Sequence, residues 1–166
     1  FTRLSAKLKP EEVLTLLERI FAAFDELVNK HGLEKIKTIG DAYLVAAGLP
    51  EPRADHAEAV TDFALDLQRM AHSLRSPDGS TIEIRIGLHS GPLIAGVIGE
   101  SRFLYDMWGD TVNVASRMES LGMPGKIQVS EEAHNILAEK FTFDPRGKID
   151  VKGRGEMHTW WLSGRR

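Results

Sequence analysis

The chain has 166 residues, 42% hydrophobic and 27% charged, a composition that predicts one globular domain with a substantial core. Its formal net charge of −3 argues against non-specific nucleic-acid binding as the main activity, since such proteins usually carry a basic face. Cysteine is absent, which excludes disulfides and thiolate chemistry, and neither an apolar run of about 20 residues nor a signal peptide is recognised.

The first half of the chain is expected to form two amphipathic helices that flank a hairpin. Apolar residues at helical spacing predict the helices, and a tight Gly-Asp turn between two short apolar runs predicts the hairpin. In chain order the elements are a helix over 13–28 that ends near Gly32, strands over 34–38 and 42–47 with Asp41 at the tip between them, and a helix over 55–73.

The second half is expected to alternate strands and helices. A period of two in hydrophobicity predicts a strand over 82–89, and Asp110 or Thr111 is the expected N-cap of the helix after Gly109. The elements are strands over 82–89 and 93–98, a strand or turn with Asp106, a helix with Asn113 and Arg117, a strand over 126–129, a helix over 131–140, and terminal strands ending at Leu162. This order is typical of an α/β (α+β) fold with a ferredoxin-like βαββαβ core, an antiparallel sheet and additional C-terminal strands.

The segment YDMWGDTVNVASRME, residues 105–119, carries the most chemical information. Asn113 and Arg117 lie four positions apart, so on a helix they share a face and can point at one ligand. A guanidinium beside a neutral amide is suited to charge that develops on a phosphoryl group. Taken alone, both residues are better interpreted as ordinary residues of a helix surface.

Four segments, which together extend over nearly the whole chain, resemble motifs of the class III nucleotidyl cyclases. They are KIKTIGDAY at 35–43, RIGLHSGPLIAGVIG at 85–99, YDMWGDTVNVASRME at 105–119 and VKGRG at 151–155. Because the four occur in the family's order, the chain is identified as a member of that family. The resemblance implies that residues 1–166 form one catalytic domain with the ferredoxin-like fold.

The resemblance implies that Lys37 and Asp106 recognise the base. Lys37 would donate to a ring nitrogen of adenine, and Asp106 would accept from its 6-amino group, whereas a guanine-selective cyclase often has Glu and Cys at these positions. The pair therefore predicts ATP as the substrate. Without the resemblance, Lys37 is a surface lysine and Asp106 is a carboxylate that is costly to bury unpaired.

Other family counterparts imply the groups that handle the sugar and the phosphates. Asn113 would position the ribose, Arg117 would contact the α-phosphate, and Arg85 and Lys152 would hold the β- and γ-phosphates. Arg154, close to Lys152, is a secondary candidate. By position alone, each of these cations is a solvated surface residue.

The resemblance also implies a metal site at Asp41, as the second of two carboxylates that hold two Mg²⁺ or Mn²⁺ ions. Such hard cations prefer oxygen ligands. Phe1 and Thr2 resemble the last two residues of the motif F-x-D-[IV]-x-x-F-T, which contains the first carboxylate. We therefore expect residues 1–166 to lack the first strand and one metal ligand, and to be inactive if that Asp is not supplied.

The activity implied is adenylate cyclase, a phosphorus–oxygen lyase of signal transduction. The ribose 3′-oxygen of ATP attacks its α-phosphate in line with metal assistance, giving 3′,5′-cyclic AMP and pyrophosphate. Family sites form between two subunits, with Asp41 and Arg85 from one chain and the other site residues from its partner, so a head-to-tail homodimer is expected. We expect no nucleic-acid partner and no membrane contact by the domain itself. The expected location is the cytoplasm, either as a cytoplasmic protein or as the cytoplasmic domain of a membrane-anchored protein.

Three other interpretations stay open. The substrate could be GTP; the chain could be a non-catalytic nucleotide-binding or regulatory module, which the missing carboxylate favours; or it could be a structural dimerisation domain, against which the set of polar site residues argues. The six histidines show no metal-ligand spacing and are interpreted as structural or surface residues: His31, His56, His72, His89, His134 and His158.

Overall fold

The computed structural model describes residues 6–166, so the Phe1-Thr2 motif lies outside the described residues. The described part contains four helices and eight strands, a mixed α+β arrangement that confirms the predicted fold class. The helices are α1 (Pro10–His31), α2 (His56–Ser73), α3 (Asp110–Ser120) and α4 (Glu131–Leu137). The strands are β1 (Glu34–Ile39), β2 (Ala42–Ala46), β3 (Ile86–Leu88), β4 (Ile94–Ile98), β5 (Leu104–Trp108), β6 (Ile127–Ser130), β7 (Phe141–Val151) and β8 (Gly155–Arg165).

Helix α1 shows how local signals set its two ends. Pro10 occupies the first turn, where its missing N–H costs nothing, and the chain leaves the helix at Gly32 in the left-handed conformation, φ 61°. Residues on one face, four positions apart, are buried: Leu16, Ile20, Phe24 and Val28. This face packs on α2 and the β1–β2 hairpin, so α1 forms one wall of the first core cluster.

An ion cluster fastens α1 to α2. The Asp66 carboxylate accepts hydrogen bonds from Lys30 and His31, each at 2.8 Å, and it also binds Arg69. These contacts, of which the hydrogen bond from Lys30 has the largest effect, hold the pKa of Asp66 well below its usual range, although partial burial opposes them. The charged form of Asp66 therefore stabilises the packing of the two helices.

The strands form three hydrogen-bonded groups. Two are antiparallel hairpins, β1–β2 and β4–β5, and the third is a four-stranded sheet in the order β3-β6-β8-β7. Within that sheet β3 and β6 are parallel and the remaining pairs antiparallel. The parallel pair requires a crossover, which contains β4, β5 and α3.

Two predicted elements are longer than the observed ones. The strand predicted over 82–89 is observed only at Ile86–Leu88, because residues 82–85 have no ladder partner among the described strands. Ile82 is nevertheless buried against α1 and α2, so its alternation with exposed Glu83 reflects packing rather than pairing. The helix predicted over 131–140 ends at Leu137, and the chain reaches β7 within four residues.

Three buried clusters position the parts of the site. The second lies between α2, α4 and the four-stranded sheet, and the third joins Val114 and Met118 of α3 to Val151 at the end of β7. No helix within residues 6–166 is long and apolar enough to cross a bilayer.

Candidate active site

Lys37 and Asp106, the two predicted base-reading residues, touch each other. Lys37 Nζ on β1 donates to Asp106 Oδ2 on β5 at 2.7 Å, and the N–H of Met107 donates to Asp106 Oδ1 at 2.8 Å. The Lys37 hydrogen bond, followed by that from Met107, lowers the pKa of Asp106 below its ordinary value. The pair thus presents an ammonium donor beside an ionised acceptor at a junction of the two hairpins.

The hairpin that carries Lys37 and Asp41 is anchored to α1. The Tyr43 hydroxyl donates to the Asp25 carboxylate, and its ring packs edge-on against Phe24 with 5.3 Å between ring centroids. Burial, with the neighbouring Asp25 charge, raises the pKa of Tyr43, so this hydroxyl stays a donor. Gly40 turns the chain in the left-handed region, φ 60°, which confirms the predicted tight turn.

Asp41 lies exposed at the tip of this hairpin, as the sequence predicted. Its carboxylate is chemically suited to a hard cation. Within residues 6–166, however, no three Asp, Glu or His side chains come together as a metal group. Asp41 therefore fits as one ligand of a metal site, and the described residues alone do not build a two-metal centre.

Helix α3 carries Asn113 and Arg117 on its exposed side, while Val114 and Met118 are buried beneath it. The two exposed residues are separated by about 6 Å along the helix axis, within reach of one ligand. The predicted capping by Asp110 or Thr111 is wrong. Gly109, φ 132°, precedes the helix without a side-chain cap, because Asp110 binds Arg154 and the Thr111 hydroxyl donates to the Pro92 carbonyl.

A glycine on β3 lets α3 lie directly on the sheet. A Cβ at Gly87 would come within 2.1 Å of the Glu119 nitrogen and 2.7 Å of the Ala115 carbonyl oxygen, both backbone atoms of α3. The close approach sets the depth of α3 and hence of its two exposed polar residues. The sequence analysis missed this role, and its signal is a glycine within a strand pattern.

Arg85 is paired with α3 of its own chain. Its guanidinium lies 3.0 Å from Glu119 Oε1, through both Nε and a terminal nitrogen. Glu119 is two residues beyond Arg117, so Arg85 sits beside the last turn of this helix. Glu119 was not among the predicted site residues. Its partner Arg85 lies 34 positions away in the sequence, so local sequence patterns could not predict the pair.

Lys152 and Arg154 lie in the tight turn between β7 and β8, yet they have different surroundings. Lys152 is exposed and makes no ion pair with another described residue. The Arg154 guanidinium contacts Asp110, the first residue of α3, and lies 3.4 Å from Glu132 of α4. Lys152 is therefore the available cation of this turn, whereas Arg154 is already engaged by two carboxylates.

The histidines have packing roles where their contacts are defined. The His89 side chain is 3% exposed and hydrogen-bonds Ser130 Oγ at 2.7 Å, and burial lowers its pKa. His31 belongs to the α1–α2 ion cluster, and His134 stacks on Trp160 with 3.8 Å between ring centroids. These contacts are those of structural residues.

The β4–β5 hairpin exposes large apolar side chains next to the candidate site. Phe103 and Ile94 are 77% and 74% exposed, and Val97, Ile98 and Leu104 are also exposed. Strand β5 carries Leu104 as well as Asp106 and is followed by α3, so these exposed side chains belong to the hairpin that bears one of the predicted site residues. Large apolar side chains exposed together on one hairpin are typical of a protein–protein contact.

The structure therefore joins some predicted site residues and leaves others apart. Lys37 and Asp106 are in contact, and Arg85 and the Lys152 turn each reach α3, the helix of Asn113 and Arg117. Asp41 makes no hydrogen bond or ion pair with any of these among the described residues.

Comparisons with known proteins show the family to which the chain belongs. A family model described as the adenylate and guanylate cyclase catalytic domain matches residues 1–164. An adenylate cyclase of Mycobacterium tuberculosis is 50% identical over 166 residues, which are 100% of this chain and 38% of that protein. The chain thus spans well under half the length of this curated relative.

Two solved structures are similar over almost the whole chain. The guanylate cyclase domain of RhGC from Catenaria anguillulae, in complex with GTP, has 38% identity and a TM-score of 0.94, covering 99% of this chain and 91% of that one. The non-canonical dimeric guanylyl cyclase domain of the RhoGC fusion protein from Blastocladiella emersonii has 37% identity and a TM-score of 0.91, covering 99% of this chain and 90% of that one. The chain belongs to the family of adenylate and guanylate cyclase catalytic domains, the class III nucleotidyl cyclases.

Proposed function

We propose that this chain is an adenylate cyclase, which converts ATP into 3′,5′-cyclic AMP and pyrophosphate. The contact of Lys37 with Asp106 at 2.7 Å carries the proposal, because it places a donor and an acceptor side by side. The 50% identity to an adenylate cyclase agrees with it. A guanylate cyclase is the second candidate, favoured by the similarity to the domain of C. anguillulae.

The base-reading argument depends on the order of polar groups along the purine edge. Adenine offers an acceptor at N1 beside a donor at N6, which complements an ammonium beside a carboxylate. Guanine offers an N1–H donor beside an O6 acceptor, the reverse order. To use the same two side chains, guanine would have to bind displaced or turned over.

The proposed chemistry uses Asn113 to position the ribose and Arg117 to bind the α-phosphate. As the 3′-oxygen attacks phosphorus, the bond to the β-phosphate breaks, pyrophosphate leaves, and the 3′-hydroxyl proton passes to solvent. In this proposal Arg117 stabilises the charge that grows on the α-phosphate oxygens. Arg85 and Lys152 hold the leaving phosphates.

Asp41 is the residue that we assign to Mg²⁺ or Mn²⁺, with two ions expected per site. No group of three His, Asp or Glu side chains forms a metal site among the described residues, so the second carboxylate that the resemblance implies, together with oxygens of the triphosphate, would complete the coordination. When bound, the ions supply positive charge that offsets the negative charge of the phosphates.

We further propose that the site is shared across a head-to-tail homodimer. The exposed apolar side chains of the β4–β5 hairpin provide a surface that a second copy would cover. In this arrangement Asp41 and Arg85 come from one chain, and Lys37, Asp106, Asn113, Arg117 and Lys152 come from its partner.

The substrate assignment is tested by turnover of ATP and GTP, side by side, in the full-length protein that carries this chain, with excess Mn²⁺. We expect faster turnover of ATP, and Asp106→Asn should reduce the ATP-to-GTP ratio because the acceptor loses its charge. Asp150→Asn, at an exposed carboxylate of β7, is the matched control and should leave the ratio unchanged. Faster GTP turnover, or no turnover of either nucleotide, would refute the assignment.

Site sharing is tested by mixing inactive chains. Asp41→Ala and Arg117→Ala remove groups that we assign to opposite sides of the interface, so a random mixture should regain about a quarter of wild-type activity. Asn113→Ala mixed with Arg117→Ala is the control, because both changes lie on the same side. Equal activity of the two mixtures would show that the site is not shared in this way.

A further inference from the structure

The turn between β7 and β8 is held at its base and at its tip. Val151, at the base, is buried against Val114 and Met118 of α3. At the tip, the Arg154 N–H donates to the Val151 carbonyl at 2.9 Å, and Gly153 turns the chain at φ 86°. These local contacts define the turn but leave its tilt relative to the helices to side-chain contacts.

Arg154 supplies those contacts. One terminal nitrogen binds the Asp110 carboxylate, and the other lies 3.4 Å from Glu132 Oε1. Asp110 begins α3 and Glu132 lies in the first turn of α4, so one guanidinium joins the turn to two helices. A planar guanidinium with several donors is well suited to bind two carboxylates at once.

We infer that Arg154 is a positioning residue: it ties the Lys152 turn to the start of α3, and so sets Lys152 relative to Asn113 and Arg117. The inference rests on the proposed function, in which these three residues contact one nucleotide. It replaces the simpler expectation that Arg154 itself binds phosphate. The guanidinium already faces two carboxylates, which would also repel an incoming phosphate.

A double-mutant cycle on the full-length protein separates the two roles. If Arg154 acts through Asp110, Arg154→Gln and Asp110→Asn should each lower kcat about fivefold, the upper range for an exposed ion pair. The double variant should lose no more than either single one, and Arg154→Lys should retain an intermediate kcat. If Arg154 binds phosphate directly, Asp110→Asn would preserve or raise activity, a result that overturns the inference. Lys148→Gln, at an exposed cation on the same strand pair, is the control and should leave kcat unchanged.

Tryptic cleavage after Lys152 gives a readout that does not depend on catalysis. Asp110→Asn combined with Glu132→Gln should speed this cleavage several-fold, because the turn loses both tethers. Glu156→Gln, which removes an exposed carboxylate from β8, should not. If the double variant Asp110→Asn, Glu132→Gln is cleaved at the wild-type rate, these carboxylates do not hold the turn and the inference is refuted. A wild-type protein without cyclase activity but with the predicted cleavage pattern would instead refute the proposed function.

Discussion

Replacing Gly87 with alanine is expected to push α3 off the sheet and to disable the proposed site. The added Cβ would lie 2.1 Å from the Glu119 nitrogen and 2.6 Å from the Met118 carbonyl carbon, where ordinary contacts begin at 3.4 Å. Both atoms belong to the helix backbone, so no side-chain rotation relieves the overlap. The helix has to recede by about 1 Å, a backbone shift of the kind that overpacking mutations force on cores.

The size of the effect follows from this displacement. Overpacking of this kind costs about 3 kcal/mol, which corresponds to a fall in melting temperature of about 6–12 °C for a chain of this length. Because α3 carries Asn113 and Arg117, a shift of about 1 Å should also lower kcat roughly 100-fold. Both effects have one geometric cause and should appear together.

Urea unfolding and cyclase kinetics measure the two effects separately. Gly164→Ala is the matched control, since a Cβ at this strand glycine would meet nothing within 4 Å. We expect this variant to keep the wild-type midpoint and turnover. Equal unfolding midpoints for the Gly87 and Gly164 variants would refute the close-packing argument.

Three further predictions concern charge and burial. Arg117→Ala should lower kcat about 10²- to 10³-fold with little change in KM, and an unchanged kcat would remove Arg117 from the chemistry. Asp66→Asn should cost about 1–2 kcal/mol at pH 7. Since folding lowers the Asp66 pKa, this advantage is fully present above the unfolded value near 4 and is lost progressively as the pH falls through the lower folded pKa. Urea midpoints measured at intervals from pH 7 to about pH 2 follow it, and a gap between wild type and variant that does not narrow over this range would contradict the assignment. Gln128→Leu should raise the free energy of unfolding by about 1 kcal/mol, measured as a higher urea midpoint, because the fully buried Oε1 has no partner among the described residues. A lower midpoint would show that Oε1 does have a partner.

Features that depend on neighbouring residues could be predicted from the amino-acid order. Helix α1 follows from its apolar period and from Pro10 and Gly32 at its ends, and the β1–β2 turn follows from Gly40. That Asn113 and Arg117 share a face follows from helix geometry alone. The assigned roles of the site residues came from the resemblance to a family and remain predictions.

Contacts between distant segments were decided by the tertiary structure. The sequence pattern extended β3 over 82–89 because apolar alternation records burial, whereas a strand also needs a partner, and that partner is β6, about 40 residues later. Likewise, aspartate is a residue type that favours the N-cap of a helix, yet Asp110 binds Arg154, 44 positions away. By itself, the sequence determined the helices, the turns and the candidate chemical groups, because these depend on local backbone preference and periodicity. Only the fold decided that Lys37 meets Asp106 and that Arg154 meets Asp110, because an ion pair depends on distances that chain topology creates.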